Sequence, residues 1–373
     1  MMMVVIPRIS KSIEEGILKM EVVRRRDRNV NVKRGFIRIR IRAAAVNYTD
    51  LLMLCGEYQF KPQAPFVPGS EACGKIVEIG KGVQKGFQVG DCVIVGSRIG
   101  MMQSIVDVPE TQVFPLPERL TFEQGACFNV AYSTAYHCLI ERAHLKSSDV
   151  VLVNGATGGV GSAALQIARR VVGCKLVIAT GTSKRKLCEL KDATHTIDFE
   201  STSLEDMPRI LKSWSPDGQG VTVVFDVIGG KILESSLRST KYGARVCVVG
   251  FVSGSRLKIR SNYVLIKGLT ILGCRAGEAL RRGVADSKKR MSDLTEWARQ
   301  GRITPNVSHT FEAKHAKEAF NAVLRREVIG KAVIQFDDDD DHNHHSRHPP
   351  SPRATVTTTA TTTRSNVTTT SRM

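Results

Sequence analysis

A chain of 373 residues with 42% hydrophobic side chains is long enough to bury one large core or two ordinary domains, so a folded protein is expected. Its formal charge of +18 favours an anionic partner without saying whether that is a nucleotide, a nucleic acid or an acidic surface. No run approaches the roughly 18 apolar residues of a membrane helix, and nine scattered cysteines with no C-x-x-C pair and no secretory signal read as reduced packing residues.

The opening "MMMVVIPRISKSIEEG" has too short an apolar run for a signal peptide, and Glu14 and Glu15 argue against an acid-poor presequence. In "GFIRIRIRAAAVNYTD", Ile37, Ile39 and Ile41 alternate with Arg38, Arg40 and Arg42, which predicts a half-buried strand with its arginines on a solvated face. From about 43 to 130 short strands and glycine turns alternate, the texture of a small β-rich domain. From 131 the pattern changes to a helix at 131–143, strand 150–154, helix 159–172, strand 175–180, helix 184–191, strand 222–226, helix 230–239 and strand 244–250. Strands spaced by helices predict βαβ units and a parallel sheet.

A basic helical stretch follows 275, then a helix and final strand in "AKEAFNAVLRREVIGKAVIQF". The tail from 337 has almost nothing to bury and is expected to be disordered. Its His342, His344, His345 and His348 read as part of a solvated tail. Four arginines against five aspartates leave the tail near neutral, so the basic excess belongs to the folded part.

The stretch "VVLVNGATGGVGSAALQIARRVV" runs from an apolar strand through a glycine turn into a helix. Ala156, Thr157, Gly158, Gly159, Val160 and Gly161 fit the dinucleotide pattern G-x-G-x-x-G with alanine in the first place. Gly158 would let the backbone approach a pyrophosphate, Gly161 would let the helix pack on the strand, and the helix N-terminus would offer N–H groups and a positive dipole end. About 20 residues on, an NAD enzyme usually places a carboxylate for the ribose hydroxyls. Here "VIATGTSKRK" has none, whereas Ser183, Lys184, Arg185 and Lys186 can donate to a 2′-phosphate. That points to NADPH; a solvated charge run at a helix start is the competing reading.

Several collinear stretches carry a more specific resemblance: "AAAVNYTDLLMLCGEYQFKPQAPFVPGSEACGKIVEIGKGV", "STAYHCLIERAHLKSSDVVLVNGATGGVGSAALQIA", "VVFDVIGG", "GARVCVVGFVSG" and "VIGKAVIQF". Over about residues 36 to 336 the chain resembles the zinc-free quinone oxidoreductase, zeta-crystallin-like branch of the medium-chain dehydrogenase/reductase superfamily. The resemblance implies an α/β protein with a GroES-like β-rich catalytic domain (1–130), a Rossmann NADP-binding domain (131–274), a return to the catalytic domain (275–336) and a tail (337–373). It also implies an active site in the cleft between the domains, and homodimers or homotetramers joined through the Rossmann sheet.

Zinc alcohol dehydrogenases of that superfamily supply a Cys and a His where this chain has Asn47 and, in "GSE", Ser70. Catalytic zinc takes about three protein ligands, so no metal is expected. The family instead passes hydride from the nicotinamide to a quinone or to an enone β-carbon while hydrogen-bond donors stabilise the oxyanion. On that resemblance Tyr58, Asn47 and Asp50 are the catalytic candidates, with a turn or capping role open for Asp50. Asn47, Thr134, Ala156, Gly158, Gly159, Val160, Ser183, Lys186, Gly250 and Phe251 are the cofactor-binding candidates, with capping open for Thr134 and plain core for Phe251. Three positions depart from the family: Cys55 in place of Arg, Phe199 in place of Tyr, and the stretch 97–117, which is expected to be locally rebuilt.

The function expected is an NADPH-dependent reductase of quinones or α,β-unsaturated carbonyls, acting on a small molecule away from membranes. The alternatives are an enoyl-CoA-type reductase and a non-enzymatic RNA-binding or structural role. Nucleic acid is not expected as the main partner, because no basic-aromatic interleaving or recognition motif is present. A cytoplasmic location is expected. The last residues, Ser371-Arg372-Met373, resemble the S-K-L type of peroxisomal or glycosomal import signal and offer a second address.

Overall fold

The structure is a computed structural model, and it describes residues 1–25, 31–255 and 259–336. The histidines of the tail and the Ser371-Arg372-Met373 tripeptide lie outside the described residues. The chain begins with an antiparallel pair, β1 (Met2–Val5) and β2 (Glu21–Arg24), joined through helix α1 (Ile13–Lys19). The alternating isoleucines and arginines then form β3 (Phe36–Val46), with Ile37, Ile39 and Ile41 fully buried. The arginine face is not simply solvated: Arg38 is ion-paired at 2.8 Å to both Glu78 and Asp107. These two residues stand opposite Arg38 on the flanking strands, so sheet register brings the charges together.

Helix α2 (Tyr48–Leu54), β4 (Glu71–Ile79), β5 (Cys92–Gly96), β6 (Ile105–Pro109) and β7 (Val113–Pro115) follow. Helices α3 (Phe122–Ala126) and α4 (Asn129–Tyr136) lead into the parallel half, α4 being prolonged by a π-helical turn to Arg142. There β8 (Val150–Asn154), helix α5 (Gly159–Gln166), β9 (Leu176–Gly181), helix α6 (Lys184–Cys188), β10 (His195–Asp198), β11 (Val221–Asp226), β12 (Thr240–Val248) and β13 (Thr270–Gly273) build a six-stranded sheet in the order β10-β9-β8-β11-β12-β13. All its pairings are parallel, and the order is the doubly wound one that reverses direction between β8 and β11.

The chain then returns through β14 (Val307–Glu312) and β15 (Lys331–Gln335) to the first sheet, whose order is β14-β15-β3-β4-β5-β7 with β6 also on β3. One continuous apolar core joins the two sheets. It runs from Ala43, Ala45 and Ile94 through Phe128, Tyr132 and Leu139 to Val151, Val153 and Ala164. The fold is thus α/β, a GroES-like β-rich part with a Rossmann sheet.

Most of the elements expected between 131 and 250 are present, with shifted ends: the strand expected at 244–250 starts at Thr240 and ends at Val248, and the helix expected at 184–191 stops at Cys188. Strand β10 was not expected, because only Ile197 of its four residues is buried and no periodic signal results. Among the described residues, no helix is long and apolar enough to cross a membrane. All nine cysteines are free thiols, and six of them are buried.

Candidate active site

Strand β8 is apolar until Asn154, where the glycine turn begins with Gly155 in the left-handed region (φ +73°). Ala156 is fully buried, Gly158 is exposed, and Gly159 and Val160 are half-buried at the start of α5. A Cβ on Gly161 would stand 2.3 Å from the Gly155 carbonyl oxygen, so glycine is what lets α5 lie on the end of β8. A Cβ on Gly158 would meet nothing nearer than that oxygen at 3.6 Å, whereas one on Gly159 would run into the Lys331 stem at 2.5 Å. The first-turn N–H groups of α5 have no capping side chain there.

Beneath the turn lies a buried polar network that the sequence reading missed. Asn154 Nδ2 donates to Asp226 Oδ1 (2.8 Å) and Ser236 Oγ (2.9 Å), and Thr180 Oγ1 donates to Asn154 Oδ1 (3.0 Å). Asp226 Oδ2 accepts the Gly229 N–H at 2.7 Å. The network therefore ties together the carboxyl ends of β8, β9 and β11, where ligands of such sheets bind. Burial pushes Asp226 up to about 6, against the opposing hydrogen bonds from Asn154 and Gly229.

At the end of β9, Ser183 is half-buried with no capping hydrogen bond, and Lys184 and Arg185 are exposed. Lys186 is tied across to the loop before β15, donating to the carbonyls of Arg326 and Val328. Burial, and then the neighbouring Arg185, lower its pKa. A carboxylate does stand opposite Gly181 in register, that of Asp198, but it is engaged by the Glu200 N–H (3.0 Å) and Ser201 Oγ. The Phe199 N–H donates to the Gly181 carbonyl, which places its backbone beside the end of β9.

The other half of the site starts at Asn47, the N-cap of α2. Its Nδ2 donates to Ser70 Oγ at 3.2 Å and to Glu71 Oε1 at 3.1 Å, and its Oδ1 accepts from Lys331 Nζ. Lys331 is also ion-paired to Glu71 at 3.1 Å, and Glu71 Oε2 accepts the Val130 N–H at 2.8 Å. Asn47 and Lys331 are 7% exposed and Glu71 is fully buried, so a compact charged cluster sits inside the protein. Glu71 and Lys331 were not among the expected site residues. Glu71 stands out by no local signal in the "GSE" tripeptide, and Lys331 lies 284 residues from Asn47.

Asp50 has the geometry of a cap. Its two carboxylate oxygens accept the backbone N–H groups of Asn47 (2.8 Å) and Gly69 (3.3 Å), and it is fully buried. Burial pushes it up to about 7, against the Asn47 N–H, the Lys331 ammonium and the Gly69 N–H. Tyr58 is half-buried in the loop after α2, packed on the core of the first sheet. Thr134 is half-buried in the middle of α4, so it is no helix cap. Gly250 follows β12, and Phe251 is 41% exposed beside Gly229, which removes plain core as its account.

The divergent stretch 97–117 supports this region from behind. The Met102 N–H donates to the Pro68 carbonyl, the Met101 N–H to that of Gly69, and both methionines are buried. Arg98 lies over the Phe60 ring at 5.0 Å, two residues from Tyr58.

Residues 33–118 match the alcohol dehydrogenase GroES-like domain, and residues 159–297 match the zinc-binding dehydrogenase family. The quinone oxidoreductase-like protein 2 homolog of Nematostella vectensis is 31% identical over 307 residues, 82% of either chain. The chain belongs to the quinone oxidoreductase branch of the medium-chain dehydrogenase/reductase superfamily. The mouse quinone oxidoreductase-like protein 2 is 30% identical over 80% of this chain and 84% of its own. Among solved structures, the quinone oxidoreductase from Thermus thermophilus, also determined in complex with NADPH, superposes with a TM-score of 0.73 at 25% identity, covering 90% of this chain and all of that one. A probable oxidoreductase from Mycobacterium abscessus gives 0.76 at 27%, covering 90% and 99%.

Within that branch the protein is an oxidoreductase. Among the described residues no group of three His, Cys, Asp or Glu side chains is placed to hold a metal.

Proposed function

We propose that the protein is an NADPH-dependent oxidoreductase that reduces quinones or α,β-unsaturated carbonyls without zinc. The observation that carries this reading is the pairing of a glycine turn at the reversal of the sheet with a cationic segment at the end of β9. The turn would take the pyrophosphate through the backbone of Ala156, Gly158, Gly159 and Val160. Ser183, with Lys184 and Arg185 beside it, would take the 2′-phosphate, and Lys186 would have to leave its two carbonyls to join them. The relative from Thermus thermophilus, seen with NADPH, supports this choice of cofactor.

Bound NADPH supplies the hydride. Asn47, Thr134, Gly250 and Phe251 would flank the nicotinamide, and Tyr58 would meet the acceptor. The Tyr58 hydroxyl makes no hydrogen bond among the described residues, so it is free to donate to a carbonyl oxygen on which charge develops. Asp50 is left out of the reacting groups, since its oxygens are committed to backbone. The zinc-free part of the reading rests on side chains: the Lys331 ammonium stands against Asn47, the position that the resemblance matches to a zinc ligand of alcohol dehydrogenases.

The reading includes self-association through the edge strand β13, beside which Tyr242, Leu265 and Ile266 are 71–82% exposed. A cytoplasmic protein is the simplest placement, and microscopy of a fluorescent protein carrying the tail tests import through Ser371-Arg372-Met373.

The substrate class is tested by NADPH oxidation against p-benzoquinone, 9,10-phenanthrenequinone, a simple enone and crotonyl-CoA. A quinone or the enone is expected to turn over fastest. Preference for crotonyl-CoA would assign the site to acyl-CoA-linked enoyl reduction instead. Tyr58→Phe is expected to lower kcat about tenfold or more with little change in NADPH binding.

A further inference from the structure

Lys331 joins the two halves of the site. Its backbone lies at the start of β15, just after Gly330, whose N–H donates to the Thr157 carbonyl at 2.8 Å and which bridges Gly158 of the glycine turn. From there the side chain passes over Gly159. A Cβ on Gly159 would stand 2.5 Å from Lys331 Cδ and 2.9 Å from Cγ, closer than real contacts allow. The ammonium then ends between Asn47 Oδ1 and Glu71 Oε1.

The hydrogen-bond inventory fixes what this does to Asn47. Both of its amide hydrogens are used, on Ser70 and Glu71, and its oxygen faces the ammonium. The reversed amide would turn its hydrogens toward a cation and its oxygen toward a carboxylate, two repulsive contacts in place of two attractive ones. Asn47 is therefore held in one orientation, with both amide hydrogens spent and its oxygen facing the ammonium. Without the ammonium, Glu71 would be a buried carboxylate lacking a counter-charge. One of the two constraints on the amide would then be lost.

We infer that Lys331 is a positioning residue for hydride transfer, fixing the Asn47 amide, and that Gly159 lacks a side chain to let the lysine stem pass. The inference rests on the proposed NADPH-dependent reduction. It places the sensitivity of Gly159 in the lysine above it as well as in the phosphates in front of it.

The test is a double-mutant cycle between Gly159→Ala and Lys331→Ala, read as kcat with p-benzoquinone and, separately, as the NADPH Kd from fluorescence. Lys331→Ala is expected to lower kcat about 100-fold while the NADPH Kd changes less than about fivefold. Gly159→Ala is expected to cost about tenfold in kcat in the native background and less than about threefold once Lys331 is alanine. Ethylammonium added to Lys331→Ala is expected to restore part of kcat, as packing loss alone would not allow. Lys331→Arg, which keeps the charge, guards against a misfolded alanine variant and should retain more activity than Lys331→Met. Full multiplication of the two single effects, or a Lys331→Met protein as fast as wild type, would overturn the inference and leave the proposed function standing. A wild-type protein that neither binds NADPH nor reduces any acceptor would overturn the proposed function, and the inference with it.

Discussion

Lys331 and Glu71 form a buried ion pair at 3.1 Å, with Glu71 fully enclosed and the lysine side chain 8% exposed. The pair joins β4 to β15, two strands separated in sheet order by β3. Breaking one side of such a pair leaves a buried charge uncompensated, which typically costs about 3–5 kcal/mol. Glu71→Ala should therefore lower the urea midpoint substantially. The double variant Glu71→Gln with Lys331→Met should recover part of that loss, since it buries no lone charge. Equal losses in the single and double variants would mean that packing, and not charge compensation, holds this junction together.

Asp50 gives the protein a pH signature. Burial holds its folded pKa near 7, above the ordinary 3.8, so the folded state binds a proton more tightly than the unfolded chain does. Its contribution to stability is fully present below about pH 4 and is lost as the pH rises through about 7. Asp226, near 6, acts in the same direction. Urea midpoints should thus fall between about pH 5 and about pH 8, and Asp50→Asn should show a flatter profile over that window. An Asp50→Asn profile as steep as wild type would mean that the carboxyl is already ionised at the acid end of that window.

The cofactor preference should respond to one added charge. Ser183→Asp places a carboxylate at the end of β9, where a 2′-phosphate would sit and where NAD enzymes hold the ribose hydroxyls. The ratio of kcat/KM for NADPH over NADH is expected to fall about 100-fold or more, since repulsion replaces a donor. Unchanged preference would move the phosphate site away from Ser183.

Much of this was legible in the sequence, because its signals are local. The strand–turn–helix of Val150 to Val172 declares itself by apolar run, glycines and periodicity, and β3 by strict alternation. What escaped were relationships that register and chain return create. Arg38 reads as a solvated cation until sheet pairing sets Glu78 and Asp107 on either side of it. Asn154 looks like the last residue of a strand, and only the parallel sheet brings Asp226 and Thr180 to it. Lys331 sits in a motif that marks a closing strand, with no local feature to say that its ammonium meets Asn47. Asp50 sits in a motif that leaves catalysis and capping both open, and only the N–H groups of Asn47 and Gly69 on its carboxylate decide that it caps.

The central claim is that the glycine turn and the segment after β9 together hold NADPH for hydride delivery. The most direct measurement is the steady-state oxidation of NADPH, and separately of NADH, by the purified protein with 9,10-phenanthrenequinone as acceptor. The account predicts kcat/KM for NADPH at least about tenfold above that for NADH. Equal use of both cofactors, or preference for NADH, would contradict it.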